Sequence, residues 1–482
     1  MRRRLCTALL LICLVLFLMP ARAEAVQPWS REHPEILYPE HLHSAAAVLV
    51  DGETGERLFD KNADDRMYPA STTKIMTLLL ALESDISLED RVTIPAEAGD
   101  IPKKSSTVPV HPGETMPFKD LLYGFMMKSG NDGANAIAVL VSGSIEAFVA
   151  RMNERAAALG CADTHFVNAH GYHDKDHYST AADLARIAME AMKNEEFRRI
   201  VATSSYTMAA TEQRGELKIT NRTELINPGS RYYYPDAVGI KTGYHSKAGQ
   251  CFVGAAVRGG KLLISVALNS EGSDETLKWY DTAMLFEYGY TLYEDVSFSE
   301  LAGLIPADLA VASVSDAAED DPEGGRVALK LADVSAPEAK VPVRKRQGSD
   351  AEAMRQLWES AEIRLDAEVT APVAAGQALG SASFALPDGE TVTASLVAVR
   401  DVAPKPTPTP IPTPTLAPVT PEPTATAAPV VQEESGGTGR LEKVLLALAA
   451  VAAVATGTLI ALQIRENARR KRRHRKKKRV QR

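Results

Sequence analysis

The sequence predicts an α+β fold in which helices cover an antiparallel sheet. Two β-like runs near the start, 45–50 and 57–60, flank a turn rich in Gly and Thr, which indicates a hairpin. Three more β-like runs come late in the chain, at 237–243, 250–257 and 261–268. The long segment between these two groups has helical character, and this order of elements is typical of a sheet covered by helices.

Five helices are predicted in that middle segment, because apolar and helix-favouring residues dominate each run. They are expected at 71–84, 119–128, 132–141, 144–158 and 180–193. The last two late strands meet at Gly259-Gly260, a pair that is typical of a tight hairpin turn.

A smaller second domain is predicted at residues 297–402. Its β-like runs, such as 326–331 and 391–399, alternate with turns rich in Gly, Pro and Asp, and a helix is expected near 351–362. We predict a small β-sandwich into which this helix is inserted. Because the segment contains no cluster of chemically reactive residues, a positioning role is expected.

The first motif with chemical content is Ser71-Thr72-Thr73-Lys74. An apolar run follows it, so Ser71 is expected at a helix start, where unpaired backbone N–H groups favour negative charge. Residues three apart share a helix face, so the Lys74 amine should lie beside the Ser71 hydroxyl. A lysine can activate the serine if burial or a neighbouring cation lowers its pKa. Alone, the motif is also typical of an ordinary exposed helix start.

Two further motifs supply polar groups for the same chemistry. Ser129-Gly130-Asn131 lies between two apolar, helix-like runs, where its hydroxyl can relay a proton to a leaving amine and its amide can orient Lys74. Lys241-Thr242-Gly243 lies on a strand-like run, where a cation and a hydroxyl suit a substrate carboxylate. Gly243 leaves room for the substrate to pair with that strand. Either motif alone is also typical of a solvated loop or edge strand.

In this order and spacing, the three motifs resemble those of the serine-type D-Ala-D-Ala carboxypeptidases, the low-molecular-mass penicillin-binding proteins. Longer similar stretches surround them, at 68–77, 129–135, 164–168, 177–181 and 239–244. The second motif is closer to this branch than to the Ser-Asp-Asn of class A β-lactamases. The resemblance covers 35–292 clearly and 297–402 more weakly, and it implies a penicillin-binding/β-lactamase-like catalytic domain over the first range.

The resemblance also implies how the catalytic residues act. Ser71 is then the nucleophile and Lys74 the base of acylation, while Ser129 and Asn131 assist proton transfer and positioning. The reaction removes the terminal D-alanine from peptidoglycan pentapeptide stems through an acyl-enzyme. It uses no cofactor and no metal, and β-lactams inhibit it by acylating the same serine.

Substrate binding is implied at the third motif. Lys241 and Thr242 hold the terminal carboxylate beside Gly243, and the backbone N–H groups of Ser71 and Tyr244 form the oxyanion hole. The chain departs from the family at the next position along the strand. His245 stands where the family often carries a small polar residue, a change that is expected to alter acyl-donor preference or deacylation.

Two other functions use the same motifs. A β-lactamase would hydrolyse a chromogenic cephalosporin rapidly instead of forming a slowly hydrolysed adduct. A non-turnover β-lactam-binding receptor would keep Ser71 and become acylated once.

The two ends of the chain predict export and membrane attachment. Residues 1–23 combine a basic start, an apolar run and an A-x-A site, which is typical of a cleaved secretory signal. Residues 403–440 form a Pro/Thr-rich linker of polyproline type. An apolar segment at 444–464 predicts one transmembrane helix, and the basic tail at 465–482 places the C-terminus in the cytoplasm. The catalytic domain would then face the cell wall from the cell membrane. An interfacial helix and a nucleic-acid-binding tail are the alternatives.

Composition bounds the partners. The 482 residues carry a net charge of −8 although both ends are basic, so the central part is strongly acidic and nucleic acid is not expected as a partner. Cys161 and Cys251 remain after signal removal, and two buried thiols are favoured over a disulfide. Four histidines cluster within 165–177, but their spacing matches no zinc pattern, so a hydrogen-bonded loop is expected there.

Overall fold

The computed structural model describes residues 29–270, 276–305, 310–346, 348–366 and 368–406. The predicted signal, the linker beyond residue 406, the transmembrane helix and the basic tail lie outside these ranges. Within them, no single helix is long and apolar enough to span a bilayer, and only the pair Asn131–Ser142 and Ile145–Ala158, bent by 84°, passes that test together.

The first part of the chain contains nine strands and seven α-helices among the described residues. The strands are β1 Ser44–Asp51, β2 Arg57–Lys61, β3 Arg91–Thr93, β4 Thr115–Pro117, β5 Ser205–Met208, β6 Leu217–Thr220, β7 Ala237–His245, β8 Gly249–Arg258 and β9 Lys261–Ser270. The helices are α1 Lys74–Leu82, α2 Phe118–Lys128, α3 Asn131–Ser142, α4 Ile145–Ala158, α5 Ala181–Lys193, α6 Glu195–Ala202 and α7 Leu277–Tyr290. Short 3₁₀ helices occur at Pro39–His41, Ala70–Thr73, Ala96–Gly99 and Glu224–Ile226.

Five of these strands form one antiparallel sheet in the order β2-β1-β9-β8-β7, which confirms the predicted sheet. Side chains alternate along β1, so Val48 packs into one core and Leu49 into the core on the other face. Helices α1 and α5 contribute to the first core, and α7 covers the opposite face. Both faces of the sheet are therefore buried, and β7 lies at an edge.

The five predicted helices are confirmed, but two others were missed. Helix α6 is short and strongly charged, with Glu and Arg on its exposed side. Helix α7 carries aromatic residues around its circumference, with Trp279 and Phe286 buried and Tyr280 exposed, so no single apolar stripe marks it in the sequence. Contacts with the sheet, which the local sequence does not reveal, stabilise both helices.

The second part of the chain is β-rich, as predicted. Its strands are β10 Tyr293–Ser297, β11 Val311–Ser313, β12 Arg326–Ala332, β13 Lys340–Arg344, β14 Glu362–Leu365, β15 Ala378–Ala385 and β16 Thr391–Ala398, and its helices are α8 Phe298–Ala302 and α9 Ser349–Ser360. Strands β11-β12-β16-β15-β14 form one sheet, and β10 pairs with β13. The β10–β13 ribbon and helix α9 pack on one face of the sheet β11-β12-β16-β15-β14. Val341 of β13 and Trp358 of α9 share a hydrophobic core with Phe384 of β15.

A polar network connects the two parts. The buried carboxylate of Asp51 accepts a hydrogen bond from the Tyr293 hydroxyl at 2.6 Å and forms an ion pair with Lys261 at 2.7 Å. Lys261 also pairs with Glu53 at 2.6 Å. These contacts hold the pKa of Asp51 below its usual range although its burial acts in the opposite direction. The network joins β1, β9 and β10, and none of its residues belongs to the three motifs.

Candidate active site

The nucleophile turn is the 3₁₀ helix Ala70–Thr73, from which α1 continues without a break. Ser71 is half-buried on this turn, whereas Lys74 is fully buried at the first position of α1. The Lys74 amine lies 3.1 Å from the Ser71 hydroxyl, as expected for side chains one helical turn apart. The structure thus brings the predicted nucleophile and the predicted base into direct contact.

Three oxygen atoms surround the Lys74 amine. Besides the Ser71 hydroxyl, they are the side-chain oxygen of Asn131 at 2.8 Å and the backbone carbonyl of His170 at 2.7 Å. The carbonyl and amide oxygens only accept hydrogen bonds, so they use two N–H groups of the amine. A neutral amine then has its lone pair left for the third neighbour, which is the one hydroxyl of the set. The geometry therefore suits proton transfer from Ser71 to Lys74.

The electrostatics of the site favour that neutral amine. Burial lowers the pKa of Lys74 well below its usual range, and the nearby Lys241 cation lowers it further. The carboxylate of Asp132 acts in the opposite direction. Desolvation is the largest of these effects, so Lys74 is poised as a base and not as a fixed cation.

The orientation of Asn131 follows from its second hydrogen bond. Its amide nitrogen donates to the Ser105 hydroxyl at 3.1 Å, which leaves the amide oxygen to face Lys74. Its backbone N–H donates to the carbonyl of Ser106 at 2.8 Å. The loop that contains Ser105 and Ser106 therefore forms one wall of the site, a role that the sequence did not indicate.

Asp132 holds that loop in place. Its carboxylate accepts hydrogen bonds from the backbone N–H of Val108 at 2.9 Å and of Val110 at 3.4 Å. Gly130 is needed for the same contact, because a Cβ atom there would lie 2.3 Å from a methyl group of Val108. Burial raises the pKa of Asp132, and the backbone donors only partly offset this effect.

The segment His170-Gly171 closes the other side of the nucleophile turn. Gly171 has a φ of +80°, and a Cβ atom at this position would lie 1.8 Å from the carbonyl oxygen of Ala70. The Asn168 side chain accepts from the Gly171 N–H at 2.7 Å and fixes the bend. Sequence reasoning missed this contribution, because His170 acts through its backbone carbonyl, which no side-chain motif can reveal.

Strand β7 brings the third motif to the nucleophile. Around Gly243 the strand approaches so closely that a Cβ atom would lie 2.9 Å from the Pro69 carbonyl oxygen and 3.0 Å from the Ser71 nitrogen. Lys241 is buried, and its amine donates to the Thr242 carbonyl at 3.0 Å. Close packing against the nucleophile turn is therefore one physical reason for glycine at position 243.

The remaining predicted residues flank this contact. Thr242 is half-buried, and Tyr244, the residue after the motif, is 57% exposed at the open edge of the sheet. Ser129 is buried in a left-handed conformation at the end of α2. In the part of the chain that the structure describes, its hydroxyl makes no hydrogen bond to Ser71 or Lys74. The proton-relay role of Ser129 thus stays a prediction.

A cluster of cations that the sequence did not indicate surrounds Lys241. Burial lowers the pKa of Lys241 to about 7, and Arg222 and Lys278 add to the effect. Arg222 donates to the Ser106 hydroxyl at 3.1 Å, and Lys278 donates to the Gln250 side chain at 2.6 Å. Because these cations lie within an acidic chain, the site suits a substrate that carries a carboxylate.

The histidine cluster beside the site is structural. Buried His177 contacts the Thr73 hydroxyl through Nε2 at 2.8 Å and accepts from the Val167 N–H through Nδ1 at 3.1 Å. Burial lowers the pKa of His177 and that of His170 to about 3, so both are neutral at physiological pH. Among the described residues, no group of three or more His, Cys, Asp or Glu is arranged to hold a metal ion.

The two cysteines are buried free thiols, as predicted. Cys251 lies in β8 opposite Gly243 of β7, and its sulfur contacts the Tyr68 carbonyl at 3.7 Å. Burial raises the pKa of the Cys251 thiol to about 11, which leaves it unreactive.

Both the sequence and the fold are similar to those of known proteins. Residues 32–272 match the family model described as D-alanyl-D-alanine carboxypeptidase. The D-alanyl-D-alanine carboxypeptidase DacF of Bacillus subtilis is 31% identical over 368 residues, which are 75% of this chain and 86% of that protein. The D-alanyl-D-alanine carboxypeptidase of Streptomyces sp. strain K15 is 36% identical over 52% of this chain and 88% of that protein. The chain also resembles the crystal structure of the Streptomyces K15 DD-transpeptidase, with 32% sequence identity and a TM-score of 0.49. The matched region is 52% of this chain and 98% of the transpeptidase chain.

Proposed function

This chain belongs to the D-alanyl-D-alanine carboxypeptidase family, and we propose that it removes the terminal D-alanine of peptidoglycan stem pentapeptides through an acyl-enzyme on Ser71. The observation that carries this proposal is the Lys74 amine, which lies 3.1 Å from the Ser71 hydroxyl while two obligate acceptors use its N–H groups. A serine hydroxyl needs such a base to become a nucleophile. The rest of the site supplies the groups that the reaction then requires.

Acylation begins with transfer of the Ser71 hydroxyl proton to the Lys74 amine. The serine oxygen attacks the carbonyl carbon of the penultimate D-alanine, and the backbone N–H groups of Ser71 and Tyr244 stabilise the oxyanion. The C–N bond then breaks, and the proton returns from Lys74 through the Ser129 hydroxyl to the leaving amine. Free D-alanine departs, and the remaining peptide stays as an ester on Ser71.

The terminal carboxylate of the substrate is bound beside the cation cluster. Lys241 and the Thr242 hydroxyl hold it, and it moves away with the released D-alanine. Water then attacks the ester carbonyl with Lys74 as base, which restores the Ser71 hydroxyl. A β-lactam that carries a carboxylate binds in the same way and leaves a slowly hydrolysed ester.

The experiment is a measurement of D-alanine release from a pentapeptide that ends in D-Ala-D-Ala, with the purified full chain in detergent. Mass mapping after benzylpenicillin treatment should place one adduct on the peptide that contains Ser71. We expect many turnovers of the pentapeptide and slow hydrolysis of a chromogenic cephalosporin. An adduct without D-alanine release would indicate a receptor, and rapid cephalosporin turnover would indicate a β-lactamase.

We also propose that the chain is exported and held in the cell membrane with its catalytic domain facing the wall. Three sequence features support this: the signal-like residues 1–23, the apolar segment 444–464 and the basic tail 465–482. The Pro/Thr-rich residues 403–440 would act as an extended spacer between membrane and enzyme.

Fractionation of cells tests this arrangement. The full chain should sediment with membranes and be cleaved by protease added from outside, while a chain that ends at residue 440 should be released into the medium or the periplasm. A full chain recovered in the soluble cytosolic fraction would contradict both the export and the anchor.

A further inference from the structure

A cavity opens next to the segment that precedes the nucleophile turn. It has a volume of about 500 Å³, and its lining includes Tyr68 from the segment before Ser71 and Lys247 and Ala248 from the turn between β7 and β8. Arg66 and Lys175 complete its charged rim. The three motifs do not contribute to it, and the proposed mechanism does not use it.

We propose that this cavity, the β7-end pocket, binds a carboxylate of the stem peptide on the N-terminal side of the scissile bond. The inference rests on the proposed function, because it assigns a place to the part of the substrate that the reaction does not change. A free carboxylate occurs upstream on the D-glutamate residue and, in some walls, on a diaminopimelate residue before D-Ala-D-Ala. The pocket chemistry is the same for both sources.

The direction of the substrate along β7 leads to this pocket. If Lys241 and Thr242 hold the terminal carboxylate and Tyr244 contributes to the oxyanion hole, the substrate runs along the strand from its C-terminus toward its N-terminus. Residues upstream of the scissile bond then pass His245 and reach the turn after β7. Lys247 lies on that turn, in the wall of the pocket.

The charge of the pocket suits an anion. Arg66, Lys175 and Lys247 line it, and no carboxylate side chain belongs to its lining among the described residues. Arg66 pairs with Asp163 at 2.7 Å and stacks on the Tyr178 ring, and both contacts favour its position at the rim. Exposed ion pairs are weak, so cations with partners still attract a ligand anion.

Lys247 is the cation of the rim without an ion-pair partner among the residues that the structure describes. It is exposed to solvent. Lys175 pairs only with its neighbour Asp176, at 3.0 Å, and both side chains are strongly exposed. A substrate carboxylate therefore competes with water at Lys247 and with one weak partner at Lys175.

The rings of Tyr68, His173 and His245 pack against one another beside the pocket. The His173 ring lies 4.8 Å from the Tyr68 ring and 5.1 Å from the His245 ring, measured between centroids. His245 accepts the backbone N–H groups of Lys247 at 3.2 Å and Ala248 at 3.0 Å, so it fixes the turn that carries Lys247. Burial lowers the pKa of His245 to about 4, so this ring is uncharged at neutral pH, and the attraction for an anion comes from the lysines and Arg66.

The test compares peptides that share the D-Ala-D-Ala end and differ upstream. They are a diacetyl-lysyl tripeptide without an upstream carboxylate, and lysine pentapeptides with D-isoglutamine or D-glutamate. A fourth peptide carries diaminopimelate and D-isoglutamine. The enzymes are the full chain, Lys247→Gln and the double variant Lys175→Gln/Lys247→Gln. Lys330→Gln, on an exposed position of β12, removes the same charge elsewhere.

We expect Lys247→Gln to lower kcat/KM by about two- to fivefold, and the double variant by about tenfold, only for a peptide with an upstream carboxylate. The difference should shrink at high salt. If kcat/KM falls only for the D-glutamate peptide, the D-glutamate carboxylate is the one that binds. If it falls only for the diaminopimelate peptide, the diaminopimelate carboxylate binds. If the lysine variants lower kcat/KM equally for the tripeptide, or for none of the peptides, the pocket does not bind a substrate carboxylate. D-Alanine release from the tripeptide would then still support the carboxypeptidase function. No release from any peptide by the unaltered chain overturns both.

Discussion

Replacing Lys74 by arginine should lower the rate of Ser71 acylation by about 10³- to 10⁴-fold, the upper part of the range expected when a general base is lost. Arginine has a similar length, but its guanidinium group does not lose its proton in proteins, so it places a permanent positive charge where a titratable amine stood. The Ser71 proton then has no acceptor at 3.1 Å. The second-order rate constant for labelling by a fluorescent penicillin measures the effect. Ser71→Ala, which lacks the nucleophile, gives the background level of labelling.

Lys241→Arg is the matched control. Lys241 is also buried, but its proposed role is that of a cation that binds a carboxylate, and arginine retains that charge. We expect this variant to lose no more than about 10- to 100-fold, because the altered geometry costs affinity but removes no base. If Lys74→Arg keeps more than about a tenth of the acylation rate, or if the two variants lose equally, the assignment of Lys74 as the base is wrong.

The pH dependence of the acylation rate tests the role of Lys74 independently. Burial and Lys241 lower the pKa of Lys74, so its amine stays neutral to a lower pH than an ordinary lysine and gains a proton as the pH falls through that lowered value. Acylation should therefore decline toward acid pH. On the basic side, Lys241 loses its charge as the pH rises through about 7, which weakens carboxylate binding by the free enzyme. The acid limb should disappear with Lys74→Arg.

The parts of this site that were predictable are those set by short-range geometry. Ser71 and Lys74 lie three residues apart on a helical turn, and a spacing of three defines their contact wherever the helix packs. The sheet and five of the helices follow from local patterns of apolar residues. The contact between Lys74 and Asn131 could be predicted only from the three motifs taken together, because the two residues lie far apart in the sequence.

The parts that were not predictable are backbone atoms and long-range electrostatics. The His170 carbonyl contacts Lys74 through an atom that every residue possesses, so residue identity gives no signal for it. Arg222 and Lys278 act on Lys241 because the fold brings separate segments together. Gly171 gives at most a weak signal, since glycine is common in loops and its necessity here depends on the position of Ala70.

Gly171→Ala should destabilise the protein by roughly 3–4 kcal/mol and slow acylation about 100-fold, combining backbone strain, steric overlap and misplacement of a catalytic group. The new Cβ atom would lie 1.8 Å from the Ala70 carbonyl oxygen and 2.7 Å from the Thr73 hydroxyl, so the nucleophile turn must move. Because the neighbouring His170 carbonyl holds the Lys74 amine, this movement also disturbs the base. Denaturant unfolding and penicillin labelling measure the two effects.

Gly160→Ala separates backbone strain from steric overlap. Gly160 has a φ of +76°, close to the +80° of Gly171, but nothing lies within 4 Å of a Cβ atom added there. An alanine at this position should cost only about 1 kcal/mol, the expected strain of a left-handed conformation, and leave acylation unchanged. If both variants lose the same stability and both keep full acylation, the packing of Gly171 on the nucleophile turn has no part in positioning Ser71. If Gly171→Ala alone loses acylation while most of it remains folded, the turn and the His170 carbonyl act as one positioning unit for the nucleophile and its base.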